Sequence, residues 1–152
     1  MMHQVRMLRA SPTSIAERWH AFRPEIEAAL PPISVESPDR MNHILEKLLI
    51  GTLECYIVYT EDDKGKTLIG IMTLAMTEQL DSIHNDLIIY TLSGTAEALS
   101  IEEWKEGLRI VQDIAKSKGC KSVILFASNP NIIKFLERVG ADTSYHVVRI
   151  PV

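Results

Sequence analysis

Residues 100–140 read SIEEWKEGLRIVQDIAKSKGCKSVILFASNPNIIKFLERVG, and this stretch decides the fold. Ser100 followed by Glu103 has the Ser-x-x-Glu pattern of a capping box, and the apolar side chains after it recur at helical spacing. The apolar run VILFA at 123–127 is typical of a buried strand. An asparagine-led segment then opens a second helix, which Gly140 ends. We therefore expect a long helix, a buried strand and a second helix in this part of the chain.

The remaining elements are predicted from hydrophobic periodicity and from turn residues. Together, the predicted elements indicate one α/β (α+β) domain spanning 1–152, with the order β-α-α-β-β-β-α-β-α-β. We expect a mixed, mostly antiparallel twisted sheet with helices on both faces. The predicted segments are a strand at 4–9, a helix at 15–30 that Pro24 kinks or splits, a helix from Ser37 to Gly51, strands at 53–60, 67–77 and 86–93, and a final edge strand at 142–152.

Composition excludes several classes of function. The chain has 152 residues, of which 46% are hydrophobic and 24% charged, which is ordinary for one globular domain. A net charge of −4 gives no electrostatic reason to expect a nucleic-acid or membrane partner. Cys55 and Cys120 form no disulfide framework and have no further cysteine or histidine at metal-ligand spacing. We therefore expect reduced thiols, no metal and a cytoplasmic location.

Glu54 lies in the predicted strand at 53–60, which is otherwise apolar at alternate positions. We expect its side chain to face solvent.

The predicted order of elements resembles the GNAT superfamily of N-acetyltransferases over nearly the whole chain. The most specific segment is NPNIIKFLERVGA at 129–141, which is similar to the family's Asn-led helix ending in glycine. In the family, a side chain of that helix points at the sulfur of an acyl-CoA. The resemblance implies the GNAT fold, acetyl-CoA as cofactor and transfer of its acetyl group to an amine.

Two departures from the family pattern concern chemistry. Leu136 stands where family enzymes usually carry a tyrosine that protonates the departing thiolate, and leucine has no proton to donate. The family's pyrophosphate loop, (Gln/Arg)-x-x-Gly-x-(Gly/Ala), is replaced by SGTAEALS at 93–100. That loop has a single glycine and no basic residue, and Glu97 adds a negative charge that opposes a diphosphate.

These departures lead to three hypotheses. The first is a GNAT-like domain with a degenerate site that works as a non-catalytic binding or structural module, similar to the GNAT-like proteins carried in or near the virions of tailed phages. Such a module would have a protein partner or form a homo-oligomer, in the cytoplasm or in a virion. The second is an active N-acetyltransferase using acetyl-CoA. The third is a sensor that binds an acyl-CoA without turning it over.

The resemblance also names candidate site residues. Tyr90 and His84 are weak candidates for the general base, although a strand tyrosine is more commonly packed and His84 more commonly lies in a turn. Gly94 with the following amides could hold an anion, or could belong to a plain capped loop. Asn129 either contacts a pantetheine arm or only caps its helix. If an acyl-CoA binds, the predicted contacts are Thr91, Leu92, Ser93, Gly94, Thr95, Ala96 and Asn129.

Overall fold

The structure is a computed structural model that describes residues 4–78, 80, 83–94, 99–127 and 129–152. Within them, the strands form one five-stranded sheet in the order β1-β2-β3-β4-β5, in which only β4 and β5 run parallel. This confirms the predicted α/β class and the mixed, mostly antiparallel sheet. The elements are β1 (Gln4–Ala10), α1 (Pro12–Glu17), α2 (Trp19–Ala28), α3 (Arg40–Ile50), β2 (Leu53–Asp62), β3 (Gly65–Glu78), β4 (Asn85–Gly94), α4 (Ile101–Ser117), β5 (Cys120–Leu125) and α5 (Pro130–Arg138).

Helices cover both faces of the sheet, as predicted. On one face, Ile15, Phe22 and Leu48 of the first three helices pack against Cys55 and Ile71. On the other face, Val111 and Ala115 of α4 pack against apolar side chains of β1 to β4. Neighbouring residues such as Ile71 and Met72 belong to opposite clusters because successive side chains of a strand point to opposite faces.

The central strand β3 is buried through its middle part. All residues from Ile69 to Leu74 are buried, as expected for a strand with neighbours on both sides and helices above and below. Its one buried hydroxyl, that of Thr73, lies 2.6 Å from the hydroxyl of Thr91 on β4. The pair satisfies both polar groups within the core.

The first two predicted helices begin and break at other residues than expected. Pro24 lies inside α2, and the break falls at Arg18, which has the non-helical angles φ −120° and ψ 25°. Pro24 is the sixth residue of α2, so it removes one backbone amide donor from the helix interior without ending the helix. The predicted helix at Ser37 starts instead at Arg40, and the Ser37 hydroxyl donates a hydrogen bond to the carboxylate of Asp39 at 3.0 Å.

The final edge strand at 142–152 is not formed. Residues 141–152 carry no strand, and the side chains of Tyr145, Val148 and Ile150 are about 80% exposed. The guanidinium of Arg149 donates to the carbonyl oxygen of Pro32 at 2.8 Å, which joins this tail to the loop after α2. Alternating apolar residues favour a strand only where a partner strand supplies hydrogen bonds, and the tail has no such partner among the described residues.

The described helices include none that is both long and apolar enough to cross a membrane.

Candidate ligand-binding cleft

Strands β4 and β5 separate at Tyr90. The parallel pairing of the two strands runs from Asn85 opposite Cys120 to Ile89 opposite Leu125 and stops there. On the other side of β4, Thr91 pairs with Thr73 and Ile89 pairs with Leu74, so Tyr90 is an extra residue in a β-bulge. Tyr90 therefore has no register partner on either side. From this residue to Gly94, β4 continues without β5 beside it.

A cavity of about 920 Å³ fills the space between the two separated strands. On the α4 face it lies beneath Trp104, Gly107 and Val111, and it extends to Ala29 and Pro31 beyond the C-terminal end of α2. The strands β1 to β4 supply one part of its remaining wall, and residues that follow β5, including several of α5, supply another. A small-molecule site of a folded protein typically has this volume and a largely apolar lining.

Two backbone amides at the start of α4 are hydrogen-bonded by side chains of the same helix end. The backbone amide of Ser100 donates to Oε1 of Glu103 at 2.9 Å, and the amide of Glu103 donates to the Ser100 hydroxyl at 3.2 Å. This is the predicted capping box. Glu102 and Glu103 both lie in the first turn, so two carboxylates already offset the positive end of the helix dipole.

Gly94 is a glycine for reasons of strand packing. It pairs with Gly70 across β3 and β4 and has a φ of +108°, which L side chains rarely adopt. A Cβ at Gly94 would lie 2.2 Å from the carbonyl oxygen of Ile69. The close approach of the two strands thus accounts for Gly94, which also lines the cavity. Thr95, Ala96 and Glu97, the rest of the predicted anion-binding loop, lie outside the described residues.

The other predicted contacts on β4 divide into two groups. Leu92 and Ser93 line the cavity, and the hydroxyl of Ser93 donates to the carbonyl oxygen of Ile71 at 3.3 Å. Thr91 is buried, and its hydroxyl is bonded to that of Thr73. The Thr91 side chain therefore faces the core, and only its main chain lies along the open edge of β4.

Asn129 lines the cavity and also caps α5. Its side-chain oxygen accepts a hydrogen bond from the amide of Asn131 at 2.9 Å, which is ordinary N-cap geometry. The cap occupies the amide oxygen and leaves the amide nitrogen of Asn129 as the group that can donate to a ligand.

The two candidate bases are not brought together. Tyr90 is half-buried, lines the cavity at the bulge and packs against the cluster formed by the first three helices. His84 is exposed, just before the opposite end of β4. Six residues of extended chain separate them by roughly 20 Å. His84 therefore does not take part in this cleft, and Leu136 lines it as the sequence predicts.

Four side chains that line the cavity were not predicted from the sequence to do so. The rings of Trp104 on α4 and Phe135 on α5 lie 6.0 Å apart, centroid to centroid, and join the two helices across the cleft. Lys134 and Arg138 on α5 also line it. Trp104 and Phe135 were predictable as apolar helix positions, whereas only the approach of α5 to α4 shows that they meet.

The described residues include no group of three or more His, Cys, Asp or Glu side chains that could hold a metal ion.

The fold matches solved acetyltransferase structures along nearly the whole chain. An aminoglycoside acetyltransferase from an uncultured soil metagenomic sample, in complex with sisomicin, gives a TM-score of 0.66 at 15% identity and covers 97% of this chain and 95% of that one. A Trypanosoma brucei acetyltransferase gives 0.61 at 14% identity, covering 98% and 100%. Glucosamine-6-phosphate N-acetyltransferase from Arabidopsis thaliana gives 0.60 at 12% identity, covering 97% and 98%.

No family model matches the sequence, and no curated protein is similar to it in sequence. Identities this low establish a shared fold and no shared activity. The strand order, the parallel β4–β5 pair and the structural neighbours all agree with the resemblance seen in the sequence. The chain therefore has the GNAT fold of the acetyltransferases that it resembles.

Proposed function

We propose that this chain binds an acyl-CoA or a related pantetheine-bearing ligand in the cleft between β4 and β5, and that it is a binding module rather than an efficient acetyltransferase. The observation that carries the proposal is the cavity of about 920 Å³ at the point where the two strands separate. The bulge in β4 and the early end of the β4–β5 pairing open this cavity, so the cleft is formed by the backbone of the sheet.

The chain's residues fit a pantetheine arm. Such an arm is narrow and carries two amide groups along an otherwise apolar chain. From Tyr90 to Gly94, β4 has no strand on its β5 side, so main-chain groups at this edge can pair with ligand amides as a neighbouring strand would. Leu92, Leu125 and Phe126 supply apolar wall for the methylene groups.

Residue 136 supports a binding role without efficient transfer. When an amine attacks a thioester carbonyl, a C–N bond forms, the C–S bond breaks and the thiolate leaves most readily with a proton. Leu136 lines the cleft and has no proton to give. A missing general acid typically lowers the rate by about 10²–10⁴-fold. Binding does not depend on that proton.

The charges of the cleft argue against an aminoglycoside acceptor, although a neighbour of that class has the same fold. An aminoglycoside is a polycation and is held by carboxylates. Among the described lining residues, Glu103 is the only carboxylate, and it is engaged in the capping box. Lys134 and Arg138 would repel a polycation.

Acetyl transfer to an amine is the second candidate, and Tyr90 is the observation that favours it. This residue lines the cavity at the bulge, where the phenol could give its proton to the departing thiolate. Tyr90→Phe keeps the ring that packs against the core and removes only the hydroxyl. If transfer occurs, this variant should lower kcat without changing the affinity for acetyl-CoA.

Isothermal titration with acetyl-CoA tests the binding proposal. Ala127 is exposed and lines the cleft, so Ala127→Trp should fill its mouth and weaken binding at least tenfold. Ala16→Trp is the matched control, because Ala16 is exposed on α1 and away from the cleft. Equal affinities for the two variants would place the ligand elsewhere. No heat of binding by the unmodified chain would refute the proposal.

A thiol-release assay with acetyl-CoA and a panel of amines separates the two candidates. Binding without release of free CoA beyond the hydrolysis seen without protein supports the binding module. Release that requires both the amine and Tyr90 establishes the transferase instead.

A further inference from the structure

Two cations lie on the wall of the cleft with no partner in the described residues. Lys134 and Arg138 are four residues apart on α5, which places them on one side of the helix about 6 Å apart along its axis. Both side chains are exposed and both line the cavity. Phe135, next to Lys134, reaches across to Trp104, so the cations flank the contact between the two helices.

The nearby carboxylates do not neutralise this pair. Glu137 on the same helix accepts a hydrogen bond from the Thr143 hydroxyl at 2.7 Å. Glu103 is held by the capping box at the start of α4. The cleft therefore combines an apolar interior with a positively charged rim. Such a site suits a ligand that has a narrow, largely apolar arm and an anionic end.

From this arrangement we infer that Lys134 and Arg138 form the anion subsite of the cleft and bind a phosphate group of the CoA-type ligand. The inference rests on the proposed function and adds the residues that recognise the ligand's charged end. Arginine and lysine donate charge-assisted hydrogen bonds to phosphate oxygens, arginine with two parallel donors.

The start of α4 is a weaker place for that phosphate. Glu102 and Glu103 lie in its first turn, and their carboxylates oppose a second anion there. The amides of Ser100 and Glu103 are already used by the capping box. The positive charge in the described wall of the cleft comes from α5 instead.

The test compares two double variants by isothermal titration with CoA, 3′-dephospho-CoA and pantetheine. The first variant, Lys134→Gln with Arg138→Gln, removes the proposed subsite. The matched control, Lys105→Gln with Arg109→Gln, removes a lysine and an arginine at the same spacing on α4, both exposed and neither lining the cavity. Both variants change the net charge by the same amount, so a general effect of charge cancels.

We expect the first variant to bind CoA more weakly by about tenfold for each cation lost, and the control to bind like the unmodified chain. Affinity for pantetheine should stay unchanged in both, because pantetheine lacks the phosphates in question. If the first variant loses affinity for CoA and not for dephospho-CoA, the subsite binds the 3′-phosphate. If it loses affinity equally for CoA and dephospho-CoA, the subsite binds the diphosphate.

Unchanged CoA affinity in the first variant, with clear binding by the unmodified chain, would overturn this inference and leave the proposed function standing. An equal loss in the two variants would also overturn it, since the effect would then be one of overall charge. No binding of CoA or pantetheine by the unmodified chain would refute both.

Discussion

Cys55 and Cys120 carry the same thiol in different surroundings. Cys55 is 1% exposed on β2, and burial raises the pKa of its thiol from the ordinary 9.0 to about 12. Cys120 at the start of β5 is partly exposed; desolvation and then the nearby Asp86 carboxylate raise its pKa as well. A buried thiolate has lost its hydration, so the folded chain keeps Cys55 protonated where an unfolded chain would ionise it.

This difference predicts an alkaline loss of stability. The folded pKa lies above the unfolded one, so the contribution of Cys55 is complete below pH 9 and is lost as the pH rises toward 12. Each pH unit in that window should lower the free energy of unfolding by about 1.4 kcal/mol. Urea unfolding between pH 8 and 10.5, compared with Cys55→Ala, isolates this contribution. The packing loss in the variant is constant with pH, so equal slopes for the two chains would contradict the prediction.

Side-chain positions were predictable only where one strand or helix determines them. Cys55 and Ile57 do lie on one face of β2, as alternation along a strand requires, but the same alternation suggested that Glu54 faces solvent. Its side chain is 11% exposed, its two carboxylate oxygens lie 2.5 and 2.9 Å from the Nζ of Lys118, and Oε2 is 3.6 Å from Nη1 of Arg9. Lys118 is 64 residues away in sequence. A local pattern contains no information about which distant cation will cover a carboxylate.

Replacing Gly107 by alanine should stabilise helix α4. Glycine inside a helix costs up to about 1 kcal/mol relative to alanine. A Cβ at Gly107 would lie 3.8 Å from Met7 Cε and from Val5 Cγ1, which is ordinary contact. Gly107→Ala should therefore raise Tm by roughly 2–4 °C in thermal unfolding followed by circular dichroism.

Gly70→Ala is the contrasting variant for this measurement. A Cβ there would lie 1.7 Å from the backbone oxygen of Ser93, so β3 and β4 would have to move apart. We expect that variant to lose several degrees or fail to fold. If Gly107→Ala also lowered Tm, α4 would be closer to β1 than the structure has it.

Elements were predicted well where a motif marks their ends. The capping box at Ser100, Asn129 before α5 and the apolar run of β3 were all recognised, and the structure confirms each. The residues that line the cleft were predicted only in part. Tyr90, Ser93 and Asn129 do line the cleft. The bulge that opens it depends on the register between β3 and β4, which no single strand's sequence encodes.

On the scale of the whole molecule, β5 and the tail at 141–152 do not pair with each other. Among the described residues β5 pairs with β4 alone, and the tail at 141–152 exposes apolar side chains such as Val147 and Ile150. The alternating sequence predicted a strand here. The tail forms no strand, because an alternating sequence only favours the extended conformation. A strand also needs the edge of another strand with which to form hydrogen bonds.

The structure predicts that the tail contributes little to the stability of a single chain. Its exposed side chains bury little apolar surface, and the Arg149 hydrogen bond to the Pro32 carbonyl is worth about 1 kcal/mol. Removing residues 144–152 should therefore lower the free energy of unfolding in urea by no more than ~1–2 kcal/mol. Arg149→Ala is the control that isolates the hydrogen bond, and it should account for most of that change. A loss of several kcal/mol, or a change of molecular mass in light scattering, would mean instead that the tail forms its strand against a second chain.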